Sequence, residues 1–392
     1  MRSRRWLSRF VLALFLVAPL VTWAQQPYYP PSGTWDRRTP AQEGLDPAKL
    51  QQAIAFSIAH ESAHPRDMAL DLKQTFGARE SHWKLLGPTQ PRGALTGIVV
   101  RHGYVVAAWG EPDRVDMTHS VSKTFLSTVV GLAFDRGMIR SLSDPARDYV
   151  PGTDLFASEH NRPITWEHLL RQTSDWSGTL WDIPDWADRP VGATPAEQEQ
   201  RVLHAPGSFF KYNDVRVNLL ALVTLRVWRR PLPDVLRDEI MQPIGASASW
   251  HWEGYENSWV EIDGRRMQSV SGGGHFGGGM FINAWDMARF GYLFLRQGRW
   301  ENRQLISEKW ISLARTPGPA NATYGFCNWF LNTNRQAWPA APASAVIFEG
   351  NGANIVYLDW DHDLLVVVRW IDGKAINDFL GGVIGAITDQ PR

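Results

Sequence analysis

The chain is short of cysteine, of surplus charge and of long apolar runs. Cys327 is the single cysteine in 392 residues, so no intrachain disulfide can form and the core must hold the fold. Lysine plus arginine and aspartate plus glutamate number 40 each, which removes the electrostatic footprint of a nucleic-acid partner or a polyanionic surface. No G-x-S-x-G elbow occurs, and strands do not alternate with helices, so a Ser-His-Asp triad on a parallel α/β sheet is disfavoured. There is no internal repeat and no low-complexity segment. The apolar run at residues 10–21 is too short to span a bilayer. It follows a basic stretch that contains Arg4-Arg5 and precedes Thr22-Trp23-Ala24, a cleavage signal before Gln25. Residues 1–24 are therefore expected to be a signal peptide, cleaved after Ala24. The mature protein is expected to be periplasmic or secreted. No cysteine follows the apolar run, so no lipid anchor is expected.

Tryptophan is what the chain has in abundance, with 20 residues. Such rings build cores or line apolar clefts, and Trp176, Trp181, Trp186, Trp250 and Trp252 are open to either use. The organising stretch is residues 118–140, whose apolar positions (Phe125, Leu126, Val129, Val130, Leu132, Ala133) keep a helical period up to Gly137. At its entrance stands Ser120-Val121-Ser122-Lys123. Residues three apart share a helix face, so the Ser120 hydroxyl and the Lys123 amine point the same way. A desolvated lysine can take a serine's proton, and the unpaired N–H groups of a helix start can hold an oxyanion. A serine near a helix start with a lysine one turn on is also a common accident.

Two further clusters carry chemistry. Phe210-Lys211-Tyr212-Asn213-Asp214 precedes a helix read over residues 213–227. A lysine ammonium beside Tyr212 is expected to lower the phenol's pKa and make it a proton shuttle for Ser120. Phe348-Glu349-Gly350-Asn351-Gly352-Ala353 precedes a strand, and its glycines allow close approach of substrate, with the Ala353 N–H as a second oxyanion donor. His60-Glu61-Ser62-Ala63-His64 fits a zinc H-E-x-x-H pattern, but Pro65 takes His64 out of helical geometry. Glu80 is the one downstream acid with any appeal as a third ligand, and two solvent-facing histidines are the expectation. No metal and no cofactor is called for.

The order of elements is a helix and two strands (residues 95–100 and 104–109), then helices with loops to about residue 250. Strands and a helix follow, with a hairpin over residues 354–370 and a last helix from about residue 374 to 387. One α/β domain of α+β type is expected from residues 25–117 and 260–392, with a mainly helical domain at 118–259 and the site at their interface.

Taken in order, the motifs resemble those of the serine β-lactamase and penicillin-binding-protein superfamily, in its class C and carboxylesterase branch. The chain is also similar to 6-aminohexanoate-dimer hydrolases in its Ser-Val-Ser-Lys motif and length. Ser120 to Lys123 matches the first motif, and Tyr212-Asn213-Asp214 followed by Leu219-Leu220 the second. Phe348 to Gly352 matches the third. Landmarks at Leu169-Leu170, Gly278-Gly279-Met280-Phe281 and Asp286-Met287-Ala288-Arg289-Phe290 agree. The resemblance implies an antiparallel sheet flanked by N- and C-terminal helices, with an inserted all-helical domain. It also implies an acyl-enzyme on Ser120, with Lys123 and Tyr212 sharing the proton work. Ser120, Asp214, Gly350, Asn351, Gly352 and Ala353 would form the substrate and oxyanion wall.

There are two departures. Asp214 stands where the family has asparagine, which favours a charged Lys123 and moves the base role towards Tyr212. Gly350 stands where the family has a cation or imidazole that meets a substrate carboxylate. Both point away from β-lactams and D-Ala-D-Ala peptides and towards a small-molecule ester or amide. A catalytically silent binder on the same scaffold is the alternative from another class, and oligomeric state is not legible.

Overall fold

The computed structural model describes residues 27–388. The expected signal peptide lies outside the described residues. Among the described residues no helix is long and apolar enough to cross a membrane.

An antiparallel six-stranded sheet gathers the two ends of the chain. Its order is Phe330–Leu331, Val346–Gly350, Asn354–Asp359, Leu364–Arg369, Thr96–Arg101 and Tyr104–Trp109. Side chains alternate across a strand, so each strand feeds two cores. Val346, Phe348, Val356, Leu358, Leu365 and Val367 face one side, where the helix Ala284–Leu295 packs. Ile347, Ile355, Tyr357, Val366 and Val368 face the other, under the helices Pro47–Ala59 and Ile376–Gly385. With both faces covered, the strand Leu364–Arg369 is apolar up to its last residue and buried throughout. Each such side chain is worth roughly 1.5–3 kcal/mol of burial, which is how the fold manages without a disulfide. Cys327 is free and buried.

A second, four-stranded sheet joins Asp116–Met117, Gly279–Ile282, His251–Ile262 and Arg265–Val270 in that order. Arg369 ties the two sheets together: Nε donates to Asn354 Oδ1 (2.8 Å), Nη1 to the Ile282 carbonyl (2.6 Å) and Nη2 to the Met117 carbonyl (2.9 Å). The turn that carries Ser120 starts two residues after Met117, so this staple fixes where it begins. Between the first two strands of the large sheet and His251 lie the helices Ser122–Asp135, Trp166–Leu170, Asp214–Trp228 and Leu232–Leu236, joined by long loops.

Several element bounds differ from expectation. Residues 251–259, expected in the mainly helical part, belong to the strand His251–Ile262, because the pairing to Gly279–Ile282 recruits polar residues. The helix read from residue 374 starts at Ile376, after a 3-10 turn capped by Asp372. The five tryptophans left open are core residues or pack against the core, and none of them lines the cleft described next.

Candidate active site

Ser120 does not open the helix; it sits in a single 3-10 turn, His119–Val121, ahead of Ser122–Asp135. Both neighbouring sheets hold that turn. The Thr118 N–H donates to the Met280 carbonyl (2.9 Å), and the Met280 N–H donates to Ser122 Oγ (2.8 Å). On the other side a Cβ added to Gly350 would lie 1.9 Å from the Thr118 carbonyl oxygen and 3.2 Å from the Ser120 nitrogen. Position 350 therefore has no room for any side chain, and the missing cation of the third motif is a consequence of packing. From the same strand, Phe348 is buried against Phe290, Phe294 and Trp329. Glu349 lines the cleft, its carboxyl pushed up by burial.

Lys123 is fully buried. Its ammonium donates to Ser120 Oγ at 2.8 Å and to Asp214 Oδ1 at 2.7 Å. Asp214 is placed by its helix: Asn213 is the N-cap, accepting from the Arg216 N–H, and Asp214 follows at the positive end of the helix dipole. The backbone N–H of Asp214 donates to Asp188. Burial opposes ionising Asp214, but Lys123, Arg189 and His275 outweigh it and hold the carboxyl far below the usual range. Burial brings the Lys123 amine below the usual lysine range, with Asp214 opposing.

Tyr212 lies beside this pair, with Lys123 Nζ 4.7 Å and the Arg189 guanidinium 5.0 Å from its ring centre. Its hydroxyl donates to Asn328 Oδ1 at 3.2 Å. The expected fall in its pKa is not what the structure gives. Burial and the charge on Asp214 push the phenol well above its ordinary value, and contacts to Ser120 and Arg189 only partly offset them. Tyr212 is thus a phenol at neutral pH. The sequence places a lysine and Asp214 near it but does not show the burial that dominates.

Around these three residues is a buried ion network that the motifs did not announce. Arg189 Nη1 donates to Asp214 Oδ2 (3.0 Å) and to Asp188. Its backbone N–H donates to Glu80 Oε1 (3.1 Å). Glu80 Oε2 lies 2.7 Å from His275 Nε2. Gly273 closes the network from above, since a Cβ there would fall 1.8 Å from Asp214 Oδ1 and 2.1 Å from Lys123 Nζ. Glu80, Asp188 and His275 bring three metal-ligating atoms within 4.8 Å of one another, but hydrogen bonds within the network already use them. The zinc pattern has no such gathering. His60 is exposed and stacks on Phe56, while His64 Nδ1 pairs with Asp71 Oδ1 (2.6 Å), and Glu80 faces neither.

These groups open onto a cleft of about 750 Å³ lined by Ser120, Tyr212, Arg189, Phe76, Phe210, Phe330 and the turn residues Gly350, Asn351, Gly352 and Ala353. Asn351 is pinned at its rim by donating from Nδ2 to Asp71 Oδ2 (3.0 Å). Asp214 is buried behind Lys123 and does not line the cleft, so the substrate-contacting place expected for it is not where the structure puts it.

His119, next to Ser120, is buried with φ +50°, and neither ring nitrogen has a hydrogen-bond partner among the described residues. Burial pushes its pKa down to about 4; Asp71 opposes, while Arg369, His64 and Lys123 reinforce. Its ordinary value is about 6.5, so the folded state binds fewer protons and stability falls with pH through that window, by about 1.4 kcal/mol per pH unit. His64 runs the other way. Its pKa is raised by Asp71, so its contribution is complete below the ordinary value and lost as pH rises through the raised one. The difference between wild type and His119→Asn isolates the first effect, asparagine being tolerant of positive φ. Between pH 6.5 and 5, wild type is expected to lose about 2 kcal/mol more unfolding free energy than the variant, measured by urea titration.

A family model described as Beta-lactamase matches residues 85–370. Among solved structures, a penicillin-binding-protein homolog from Caulobacter crescentus matches with a TM-score of 0.56 at 14% identity, covering 88% of this chain and 99% of that one. A family VIII carboxylesterase matches with a TM-score of 0.56 at 15% identity, over 86% and 97% of the two chains. A β-lactamase from Mycobacterium bovis matches at 0.52 and 17% identity, over 81% and 97%. At these identities the likeness is one of fold, and it is the β-lactamase/transpeptidase-like fold expected.

Proposed function

The chain belongs to the Beta-lactamase family, and on that footing we propose that it is a serine hydrolase cleaving a small ester or amide through an acyl-enzyme on Ser120. One observation carries the reading: Lys123 Nζ lies 2.8 Å from Ser120 Oγ on the floor of an open cleft, with its amine fully buried. Such a lysine is a base in waiting, because desolvation favours its neutral form.

Lys123 takes the Ser120 proton as Oγ attacks the acyl carbon. The Ser120 N–H and an N–H of the strand edge at residues 350–353 hold the developing oxyanion. Tyr212, a phenol, gives its proton to the leaving oxygen or nitrogen and regains one from Lys123. Water then repeats the sequence on the acyl-enzyme. The raised pKa of Tyr212 supports Lys123 as base and Tyr212 as acid, the reverse of the weighting that Asp214 alone suggested. Similarity to a carboxylesterase supports ester substrates. Gly350 leaves no room for the cation of the third motif, so a substrate carboxylate would have to be met elsewhere in the cleft. Export directed by residues 1–24 would bring the enzyme to substrates in the periplasm or outside the cell.

Hydrolysis of a panel of short p-nitrophenyl esters and anilides tests this. The wild type is expected to turn over at least one, and Ser120→Ala to lose at least about 10³-fold in kcat. Equal rates in the two proteins would contradict the reading.

A further inference from the structure

The network around Asp214 leaves one cation facing the cleft beside the nucleophile. Arg189 is about a third exposed, at 32%, and lines the same cavity as Ser120 and Tyr212. Among the described residues its Nη1 alone has hydrogen-bond partners, Asp188 and Asp214. Nε and Nη2 have none, and neither is a buried orphan, so both are accessible. Those two nitrogens form the edge of a guanidinium that meets a carboxylate in two parallel hydrogen bonds.

The position is held firmly. Arg189 has φ +50°, unusual for arginine, and its N–H is fixed by Glu80. The preceding Asp188 is fastened to the backbone of Asp214, and Asn213 Nδ2 donates to the Asp185 carbonyl (2.8 Å). Phe76 and Tyr212 flank the guanidinium, with ring centres 5.5 and 5.0 Å away. Two carboxylates on one nitrogen, rigid backbone and aromatic walls are the preparation a recognition arginine needs, because little entropy is left to lose on binding.

We propose that Arg189 is the anion anchor of this cleft and that the preferred ester or amide carries a carboxylate. The proposal rests on the Ser120 reading but is separable from it. Arg189 would thus supply, from elsewhere in the same cavity, the cation that Gly350 cannot. Lys374 is the rival: it lines the cavity, is exposed and has no ion-pair partner among the described residues.

The test compares p-nitrophenyl pentanoate with p-nitrophenyl glutarate, which differ by a terminal carboxylate, in wild type, Arg189→Met, Arg189→Lys and Lys374→Met. Arg189→Met is expected to lower the glutarate-to-pentanoate ratio of kcat/KM at least tenfold, chiefly through KM. Arg189→Lys keeps part of the preference, and Lys374→Met leaves it within twofold. An unchanged ratio in Arg189→Met overturns the proposal, even if both rates fall through Asp214. So does a loss that follows Lys374. A wild type that hydrolyses neither ester overturns it as well, and labelling of Ser120 then shows whether the hydrolase reading has fallen with it.

Discussion

Lys123→Met is expected to lower kcat/KM by about 10²–10⁴-fold, the range for removing a positioned general base, with KM little changed. The split follows from the geometry. Lys123 is fully buried and is absent from the cleft wall, so it contributes nothing to substrate contacts; what it touches is Ser120 Oγ and Asp214. Methionine fills nearly the same volume, and Asp214 keeps Arg189 at 3.0 Å, so the carboxylate is not left without a counter-charge. Steady-state kinetics on any ester the wild type accepts would check this. A KM effect with kcat intact would mean that Lys123 binds substrate and is not the base.

Asp214→Asn is the second large effect, and it separates stability from chemistry. Removing one member of a buried pair leaves the other uncompensated and costs about 3–5 kcal/mol. Here Lys123 and Arg189 both lose a partner. The sign of the pH effect is fixed as well. The Asp214 carboxyl is depressed, so its contribution to stability is present above the ordinary carboxylate value of about 3.9 and is lost as pH falls through the folded value. The charge on Asp214 favours the Lys123 ammonium, so without it the amine loses its proton at lower pH. The acid limb of kcat/KM against pH is expected to move down by at least about one unit. Thermal unfolding and a pH–rate profile on one preparation report both. A limb that stays in place, with stability lost, would assign Asp214 to the fold alone.

The parts of the site that were legible are those written in local spacing. Ser120 and Lys123 are three residues apart on one turn, so their meeting needs no tertiary information. The helix read over residues 213–227 and the paired strands around residues 354–370 follow from local periodicity and turn chemistry in the same way, the structure adding that Asn213 is the cap. What stayed hidden depends on depth and on long-range approach. Arg189, Asp188, Glu80 and His275 come from three loops with no periodic signal, and only the packed chain brings them to Asp214. The Tyr212 pKa was read in the wrong direction because a sequence shows a neighbouring lysine but not how far both are removed from water. Gly350 was visible as a departure. Its cause, the Thr118 carbonyl against its Cα, was not. The use of Gly273 in clearing space over the Lys123–Asp214 pair likewise depends on long-range approach.

The central claim is that Ser120 is an activated nucleophile, and intact-protein mass after exposure to a fluorophosphonate tests it most directly. Protein expressed from Gln25 onward would be treated beside a Ser120→Ala control. The account predicts one adduct on the wild type, none on the control, and slower labelling of Lys123→Met. Folded wild-type protein that takes no adduct would contradict it, and would make the scaffold a binder with a silent serine.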